Sequence, residues 1–118
     1  MTMPHFGLRR AAPLAIVVLG LSFGRAAWPE EPVSIDVTLR DHRFSPSEIH
    51  VATGKPAVLK IRNEDSTAEE FDSSALKVEK IVAAGASVTV RLRPLGPGRF
   101  PFMGEFHPDT AQGVVVSE

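Results

Sequence analysis

The chain has 118 residues, enough for one domain, and its 43% hydrophobic and 23% charged residues are ordinary for a globular protein. Its 13 Lys and Arg residues against 14 Asp and Glu residues leave a net charge of -1, which disfavours a nucleic-acid binder that relies on phosphate contacts. It contains no cysteine, which excludes disulfides, thiolate zinc sites, iron–sulfur ligation and cysteine nucleophiles.

The N-terminal segment has the pattern of a secretory signal peptide. Arg9 and Arg10, with no acidic residue before them, precede an apolar run at residues 11–23. A bilayer-spanning helix needs about 20 apolar residues, so this run is too short for a membrane anchor. An N-terminal core helix is the other alternative, and Pro13 and Gly20 disfavour it. We therefore predict that the protein is exported, to the periplasm or otherwise out of the cytoplasm.

Cleavage is predicted after Ala26 or Ala27, which divides the chain into a signal peptide at 1–26 and a domain at 27–118. The signal peptide carries three arginines and no acid, so its removal leaves 10 basic residues against 14 acids. The mature domain of about 92 residues is therefore acidic, and it is large enough to bury one modest core.

The mature chain consists of short β patterns separated by turn residues. Residues 33–39 alternate apolar and polar side chains with period two, which predicts a half-buried strand. Gly-rich and Pro-rich turns separate further predicted strands, at 48–52, 57–63, 76–82, 88–92, 99–102 and 113–116. No stretch has a convincing helical period, so the sequence predicts an all-β fold, either an antiparallel sandwich or a barrel.

A polar stretch at 63–73 carries acidic residues without one base, namely Glu64, Asp65, Glu69, Glu70 and Asp72. A solvated surface loop is the simplest interpretation of such a cluster. Phe71 lies inside the stretch, however, and an aromatic side chain anchored in the core would hold Glu69 and Glu70 in fixed positions. Carboxylates held in this way suit iron(III), calcium or magnesium, and the spacing is not that of an EF-hand.

A second segment with potential ligands is RFPFMGEFHPD, near the C-terminus. If it is extended, three such side chains project to one side of the chain: Met103, Glu105 and His107. Phe102 and Phe106 project to the other side, where they can be buried. A lone Met is usually core filler and a lone His usually lies at the surface, but three potential ligands in register favour a metal site.

The order of these signals resembles that of the cupredoxins. A segment FSPSEIHVATGKP begins at Phe44, a strand ends at Asn63, and a long loop with potential ligands follows. An aromatic-led loop that contains His107 then precedes the strand at 113–116. The resemblance covers residues 33–118 and implies a Greek-key β-sandwich.

More narrowly, the segments at 63–71, 77–80 and 98–107 resemble two groups of proteins. These are the small periplasmic cupredoxin-like proteins of ferrous-iron uptake systems and the cupredoxin domain of EfeO-type iron-transport components. The resemblance implies an exported protein that binds copper, iron or both. It also implies a role in oxidising ferrous iron or delivering it to a membrane iron permease or another periplasmic uptake component.

The chain departs from the blue-copper pattern, which needs a Cys thiolate and two His and usually has a weak axial ligand. By the resemblance, Met103 takes the place of the Cys, and Gln112 or Ala111 lies near that of the axial ligand. Glu69 or Glu70 falls near the place of the first His, and His107 alone fits the pattern. A blue-copper centre is therefore excluded.

The predicted metal ligands are Met103, His107, Glu105, Glu70 and Glu69. Copper(I) would use the thioether and imidazole of Met103 and His107, whereas iron or copper(II) would prefer the carboxylates and His107. Which of Glu69 and Glu70 faces the site stays open at this point.

Two further histidines belong to the mature chain. His50 alternates with Ile49 and Val51 on a predicted strand, so we expect it on the solvent face. His42 follows Asp41 in a turn, where a surface position is the simpler interpretation and a supplementary role at a metal site is the alternative.

Metal binding is favoured over catalysis, because a ferroxidase needs an electron acceptor and the sequence shows no second metal centre or cofactor motif. No catalytic residue is therefore assigned. The second hypothesis is a metal-free cupredoxin-fold interaction module, which uses its acidic stretch to dock on another exported protein. A hydrolase is disfavoured, because no Gly-x-Ser-x-Gly element is present.

Overall fold

Short alternating segments with Gly and Pro turns between them generate nine strands in the part of the chain that the structure describes. The computed structural model describes residues 2–4, 7, 11–20 and 31–118. Its strands are β1 (Val33–Arg40), β2 (Arg43–Ser45), β3 (Glu48–Val51), β4 (Ala57–Asn63), β5 (Glu69–Ser73), β6 (Val78–Val82), β7 (Ser87–Leu92), β8 (Gly98–Gly104) and β9 (Gln112–Ser117).

The strands form two sheets, one in the order β2-β1-β4-β7 and the other in the order β3-β9-β8-β5-β6. The predicted all-β sandwich is confirmed, and no helix occurs in the described ranges. Most pairings are antiparallel, but β1 pairs with β4, and β3 with β9, in parallel. Two parallel strands must be joined by a crossover connection. For the β1–β4 pair, the chain leaves the first sheet after β2, contributes β3 to the second sheet and returns at β4.

The core lies between the two sheets and contains three phenylalanines drawn from both. Phe44 of β2 meets Phe102 of β8 edge to face, with ring centroids 5.2 Å apart. The Phe102 ring also lies 4.9 Å from that of Phe71 on β5. Phe71 is fully buried, as predicted from its place in the acidic stretch. This aromatic contact joins the first sheet to the strand that carries Glu69 and Glu70.

Two of the nine strands, β2 and β5, were not predicted from the sequence. The β5 strand matters for the site, because it carries Glu69 and lies in the stretch whose simplest interpretation was a surface loop. Its residues alternate in burial: Glu69, Phe71 and Ser73 are buried, whereas Glu70 and Asp72 are half-buried. Acidic residues are rare in strands and are rarely buried. Because Glu69 occupies an inward position of β5, the strand shows no alternation of apolar and polar side chains in its sequence. The other missed strand, β2, has only three residues.

Residues 11–20 have exposed side chains and form no helix or strand. Within the described ranges, no helix has the length and hydrophobicity that a bilayer crossing requires. The predicted cleavage positions, Ala26 and Ala27, lie outside the described residues. The signal peptide and its boundary therefore stay predictions.

Close packing of β9 against the core gives a test of the sandwich. A Cβ atom at Gly113 would clash with the ring of Phe102 and lie 2.8 Å from the carbonyl oxygen of Ser47, whereas one at Gly96 would meet nothing within 4 Å. We expect Gly113→Ala to lower the free energy of unfolding by about 1–3 kcal/mol, because the extra methyl overpacks the interface. Gly96→Ala is the control and should change it by less than about 0.5 kcal/mol. Equal urea midpoints for the two variants would contradict this packing.

Candidate metal centre

Three potential metal ligands converge where the β1–β2 turn, the start of β5 and the loop after β8 meet. They are His42, Glu69 and His107, and their ligand atoms all lie within 4.8 Å of one another. Two imidazoles and one carboxylate form a donor set that binds copper, iron or zinc. The group joins one predicted carboxylate and the predicted histidine to a residue that the sequence favoured as a surface position.

Glu69 is the buried centre of this group, with 1% of its surface exposed. Its Oε1 accepts hydrogen bonds from the backbone N–H groups of Phe106, at 2.8 Å, and Glu70, at 3.0 Å. Its Oε2 lies 2.5 Å from Nδ1 of His107. Both carboxylate oxygens are therefore paired, as a buried acid requires. Because Glu69 faces inward and Glu70 does not, the structure answers which of the two lies at this group.

Gly104, the last residue of β8, makes room for the buried carboxyl group. A Cβ atom at this position would lie 2.6 Å from Cδ of Glu69 and 2.7 Å from Cβ of Ala111. The residue of β8 that faces the group is thus Gly104. Met103, which the resemblance placed at the Cys position, precedes it and faces the other side of the sheet.

His107 lies in the loop that follows β8. Its backbone N–H donates to the carbonyl of Gly104 at 3.1 Å, and its own carbonyl accepts from the N–H of Ala111 at 2.9 Å. These bonds turn the chain back towards β9 and present the imidazole to Glu69. The side chain of His107 is 30% exposed, so the group is reachable from solvent.

The extended conformation predicted for Met103, Glu105 and His107 is wrong, because β8 ends at Gly104 and residues 105–110 form turns. Phe106 was expected to be buried on the opposite side, but it is 50% exposed. Phe102 and Gly104 already occupy the inner face at the end of β8. The chain beyond them runs over the surface.

His42 occupies a two-residue hairpin turn between β1 and β2. Asp41 and His42 have φ angles of 50° and 57°, as a type I′ turn requires of both central residues. The His42 ring stacks on that of His107, with centroids 3.6 Å apart and planes 12° from parallel. The side chain is 40% exposed, and it lies in the cluster rather than at an isolated surface position.

His42, which the sequence favoured as a surface residue with a metal-site role as the alternative, carries a weak sequence signal. A two-residue hairpin at positive φ normally uses Asn-Gly or Asp-Gly, and this chain has Asp41-His42 instead. A bulky side chain where glycine is favoured indicates a role other than forming the turn. Without the β2 strand assignment, however, the sequence does not show that these two residues form a hairpin.

Asp65 supports the turn from the β4–β5 loop. Its Oδ1 accepts from the N–H of Asp41 at 2.7 Å, and its Oδ2 accepts from the N–H of His42 at 3.0 Å. Burial raises the pKa of this carboxyl group, but the two backbone hydrogen bonds and the positive charge available to His42 and His107 outweigh it. The net effect is a pKa below the usual value, which keeps Asp65 ionised.

The other predicted ligands lie on the outer face of the second sheet. Met103 is 42% exposed and stands beside Asp72 in the β5–β8 register. Partial burial, then repulsion and a hydrogen bond from Glu105, raise the pKa of Glu70, with smaller contributions from Glu79 and Asp72. The structure therefore separates Met103, Glu70 and Glu105 from the inward-facing Glu69. His50 is exposed, as expected, and pairs with Glu118.

Comparisons with known proteins agree with this architecture. Residues 12–117 match the family model described as a cupredoxin-like domain. The uncharacterized protein RP394 of Rickettsia prowazekii (strain Madrid E) is 40% identical over 84 residues, which are 71% of this chain and 67% of that protein.

Two solved structures show the same fold at low sequence identity. One is the metal-binding domain of the Cu(I)-exporting P-type ATPase CopA of Streptococcus pneumoniae D39, solved with Cu(I). It has a TM-score of 0.66 and 15% identity, over 75% of this chain and 89% of that one. The other is auracyanin A, a "blue" copper protein of Chloroflexus aurantiacus, with a TM-score of 0.64 and 14% identity over 75% of this chain and 100% of that one.

Substitutions at His42 test whether this residue adopts positive φ in the β1–β2 turn. We expect His42→Gly to leave the free energy of unfolding of the metal-free protein unchanged or to raise it by up to about 1 kcal/mol, because glycine adopts positive φ without steric cost. His42→Val is the contrasting variant and should lower it, since β-branched residues disfavour positive φ. Urea unfolding measures both. A glycine variant less stable than the valine variant would contradict the turn assignment.

The acidic outer face gives a second test. Glu105→Gln removes a neighbouring negative charge, so the pKa of Glu70 should fall towards its ordinary value. Glu118→Gln removes one charge elsewhere and is the control. Carboxyl-carbon NMR titration measures the pKa directly. The same elevated value in both variants would show that Glu105 does not contribute.

Proposed function

The chain belongs to the cupredoxin-like domain family, and from this premise we propose that it is a copper-binding protein whose ion is held by His42, Glu69 and His107. The observation that carries the proposal is the convergence of these ligand atoms within 4.8 Å. Three protein ligands leave at least one coordination position for solvent or a small ligand. The two partly exposed histidines lie on the side from which an ion can enter.

The electrostatics of the group suit a cation. The carboxyl group of Glu69 is buried, and its Oε2 pairs with Nδ1 of His107. A metal ion bound by these two atoms would supply positive charge next to the buried carboxylate, which favours its ionised form. The backbone donors on Oε1 remain in place and keep the carboxylate oriented.

The donor atoms also indicate which oxidation state is preferred. The cluster offers two nitrogens and one oxygen, whereas soft sulfur ligands select copper(I). The thioether of Met103 lies on the outer face, and the chain has no thiolate. We therefore propose copper(II) as the form bound most tightly at this group, without the colour of a blue-copper centre.

Iron is the second candidate, because two histidines and one carboxylate with open positions are also the ligand set of many non-haem iron(II) sites. The resemblance to proteins of ferrous-iron uptake supports the same candidate. In this form of the proposal, the exported domain binds ferrous iron and either delivers it to a membrane permease or assists its oxidation by a separate electron acceptor. Export itself is supported by the signal-peptide pattern at 1–26.

A metal-free interaction module is the alternative function. It is supported by the acidic outer face around Glu70, where partial burial and then the neighbouring carboxylates raise the pKa of that residue. Binding of a basic partner would relieve this repulsion. This alternative does not use the convergence of His42, Glu69 and His107, so we rank it second.

Metal titration of the purified protein tests the proposal. We expect one equivalent of copper(II) to bind to the metal-free protein, and His42→Ala, Glu69→Gln and His107→Ala each to weaken binding by about tenfold or more. His50→Ala removes an exposed histidine that pairs with Glu118 and should bind as the wild type does. Anaerobic titration with iron(II), and competition between the two ions, ranks the metals.

The outcomes separate the candidate functions. Absence of copper(II) and iron(II) binding, or ligand variants that bind as tightly as His50→Ala does, would overturn the metal proposal and favour the interaction module. The protein should be recovered from the periplasm of a Gram-negative host, and its mass tests export. A chain that begins at Ala27 or Trp28 is expected, whereas an unprocessed cytoplasmic chain would contradict the export prediction.

A further inference from the structure

We propose that Asp65 is a positioning residue of this site: it holds the β1–β2 turn in the one conformation that sets the His42 ring against His107. The consequence for metal affinity rests on the proposed function. The placement of the ring does not, since it is a property of the metal-free protein.

The turn is unfavourable by itself. Asp41 and His42 both adopt positive φ, a conformation that is sterically unfavourable for a residue with a Cβ atom. Asp tolerates this region comparatively well, and glycine is the residue favoured at the second position. Histidine tolerates positive φ better than most residues but less well than glycine, so support from outside the hairpin stabilises the closed turn.

Asp65 supplies that support with both of its carboxylate oxygens. Oδ1 accepts from the N–H of Asp41 and Oδ2 from that of His42, at 2.7 and 3.0 Å, so each strained residue has one bond to the carboxylate. Hydrogen bonds to a charged acceptor are stronger than those to a neutral one, so these two bonds help to offset the cost of the turn. An asparagine at position 65 would have only one acceptor oxygen for these two donors.

The same carboxylate also faces the His42 ring. Oδ2 lies 3.4 Å from Nδ1 of His42, so the carboxylate orients the ring through this nitrogen, and we assign Nε2 as the nitrogen that would bind an ion. Carboxylates that pair with one nitrogen of a ligating histidine orient the ring, and their removal weakens metal binding by about 10- to 100-fold. Asp65 itself is not a member of the converging ligand group.

Asp65 is in turn anchored to the core. Its N–H donates to Oδ1 of Asn63 at 2.9 Å, and Asn63 is fully buried. The side-chain amide of Asn63 donates to the carbonyls of Thr67 and Val82, at 2.9 and 3.1 Å. These bonds hold the β4–β5 loop against the core. Asp65, which lies in this loop, thereby holds the exposed β1–β2 turn in place relative to the core.

The first test uses the metal-free protein. In the wild type, the stacked rings should shift the NMR signals of the His42 ring protons upfield and give contacts between the His42 and His107 rings. We expect Asp65→Asn to lose both features and Glu64→Gln, which removes one charge from the neighbouring residue, to keep them. An Asp65→Asn variant that retains the stacked signals would overturn the proposal, whether or not the protein binds a metal.

The second test is a double-mutant cycle on copper(II) affinity. As a single substitution, Asp65→Asn should weaken copper(II) binding by about 10- to 100-fold. In a protein that already carries His42→Gly, it should weaken binding by less than about twofold, because Asp65 acts only through His42. An equal loss in both backgrounds would show that Asp65 is itself a ligand or a general structural residue. If the wild type binds no metal, the proposed function fails, and the NMR result alone decides the role of Asp65.

A folding control keeps the tests decisive. If Asp65→Asn alone does not fold, the substitution is made together with Asp41→Gly, which removes the cost of positive φ at the first turn position. Asp41→Gly alone is then the reference for both measurements. In the double variant the bond to the His42 N–H and the contact with the His42 ring are still lost, so we expect ring stacking and copper affinity to fall relative to Asp41→Gly; their retention would overturn the claim that Asp65 sets the His42 ring.

Discussion

The burial of the Glu69 carboxyl group is the constraint on which the site depends. A carboxylate with 1% exposure is tolerated only if its oxygens are paired, and each partner here imposes a structural requirement. The loop after β8 must bring the N–H of Phe106 and the ring of His107 to it. Position 104 must also lack a side chain, because any Cβ atom there would collide with the carboxyl group. The positions of His107, Phe106 and Gly104 in the centre are therefore all set by the buried carboxyl group of Glu69.

The second half of the centre is assembled from a different sheet. His42 belongs to the hairpin of β1 and β2, whereas Glu69 and the loop that carries His107 belong to the opposite sheet. Contact between the halves relies on the aromatic packing of Phe44 against Phe102 in the core and on the stacking of the two imidazoles above it. An ion bound between His42 and Glu69 would bridge the two sheets, so metal binding and the stability of the sandwich are coupled.

The fold could be predicted from the sequence more completely than the candidate metal site. Apolar alternation in β1 is explicit, and the order of the motifs carried the resemblance that implied the correct fold. The acidic strand β5 was missed, since its inward positions are filled by Glu69 and Ser73 as well as Phe71, and a buried acid does not register as a core residue. The extended geometry predicted for Met103, Glu105 and His107 was wrong, because local spacing cannot show where a strand ends. His42 is 27 residues from Glu69 in the chain, and no local pattern connects them.

The sequence by itself determined the all-β class, the resemblance to the cupredoxins and the exclusion of a blue-copper centre, since these follow from side-chain period, motif order and the absence of cysteine. It also supplied Glu69 and His107 as two of several candidate ligands. Only the tertiary structure decided that Glu69 rather than Glu70 faces inward, that Met103 lies on the outer face, and that His42 joins the group. The physical reason is that a ligand set is defined by distances across two sheets. Those distances depend on register, on a turn at positive φ and on the buried partners of one carboxylate.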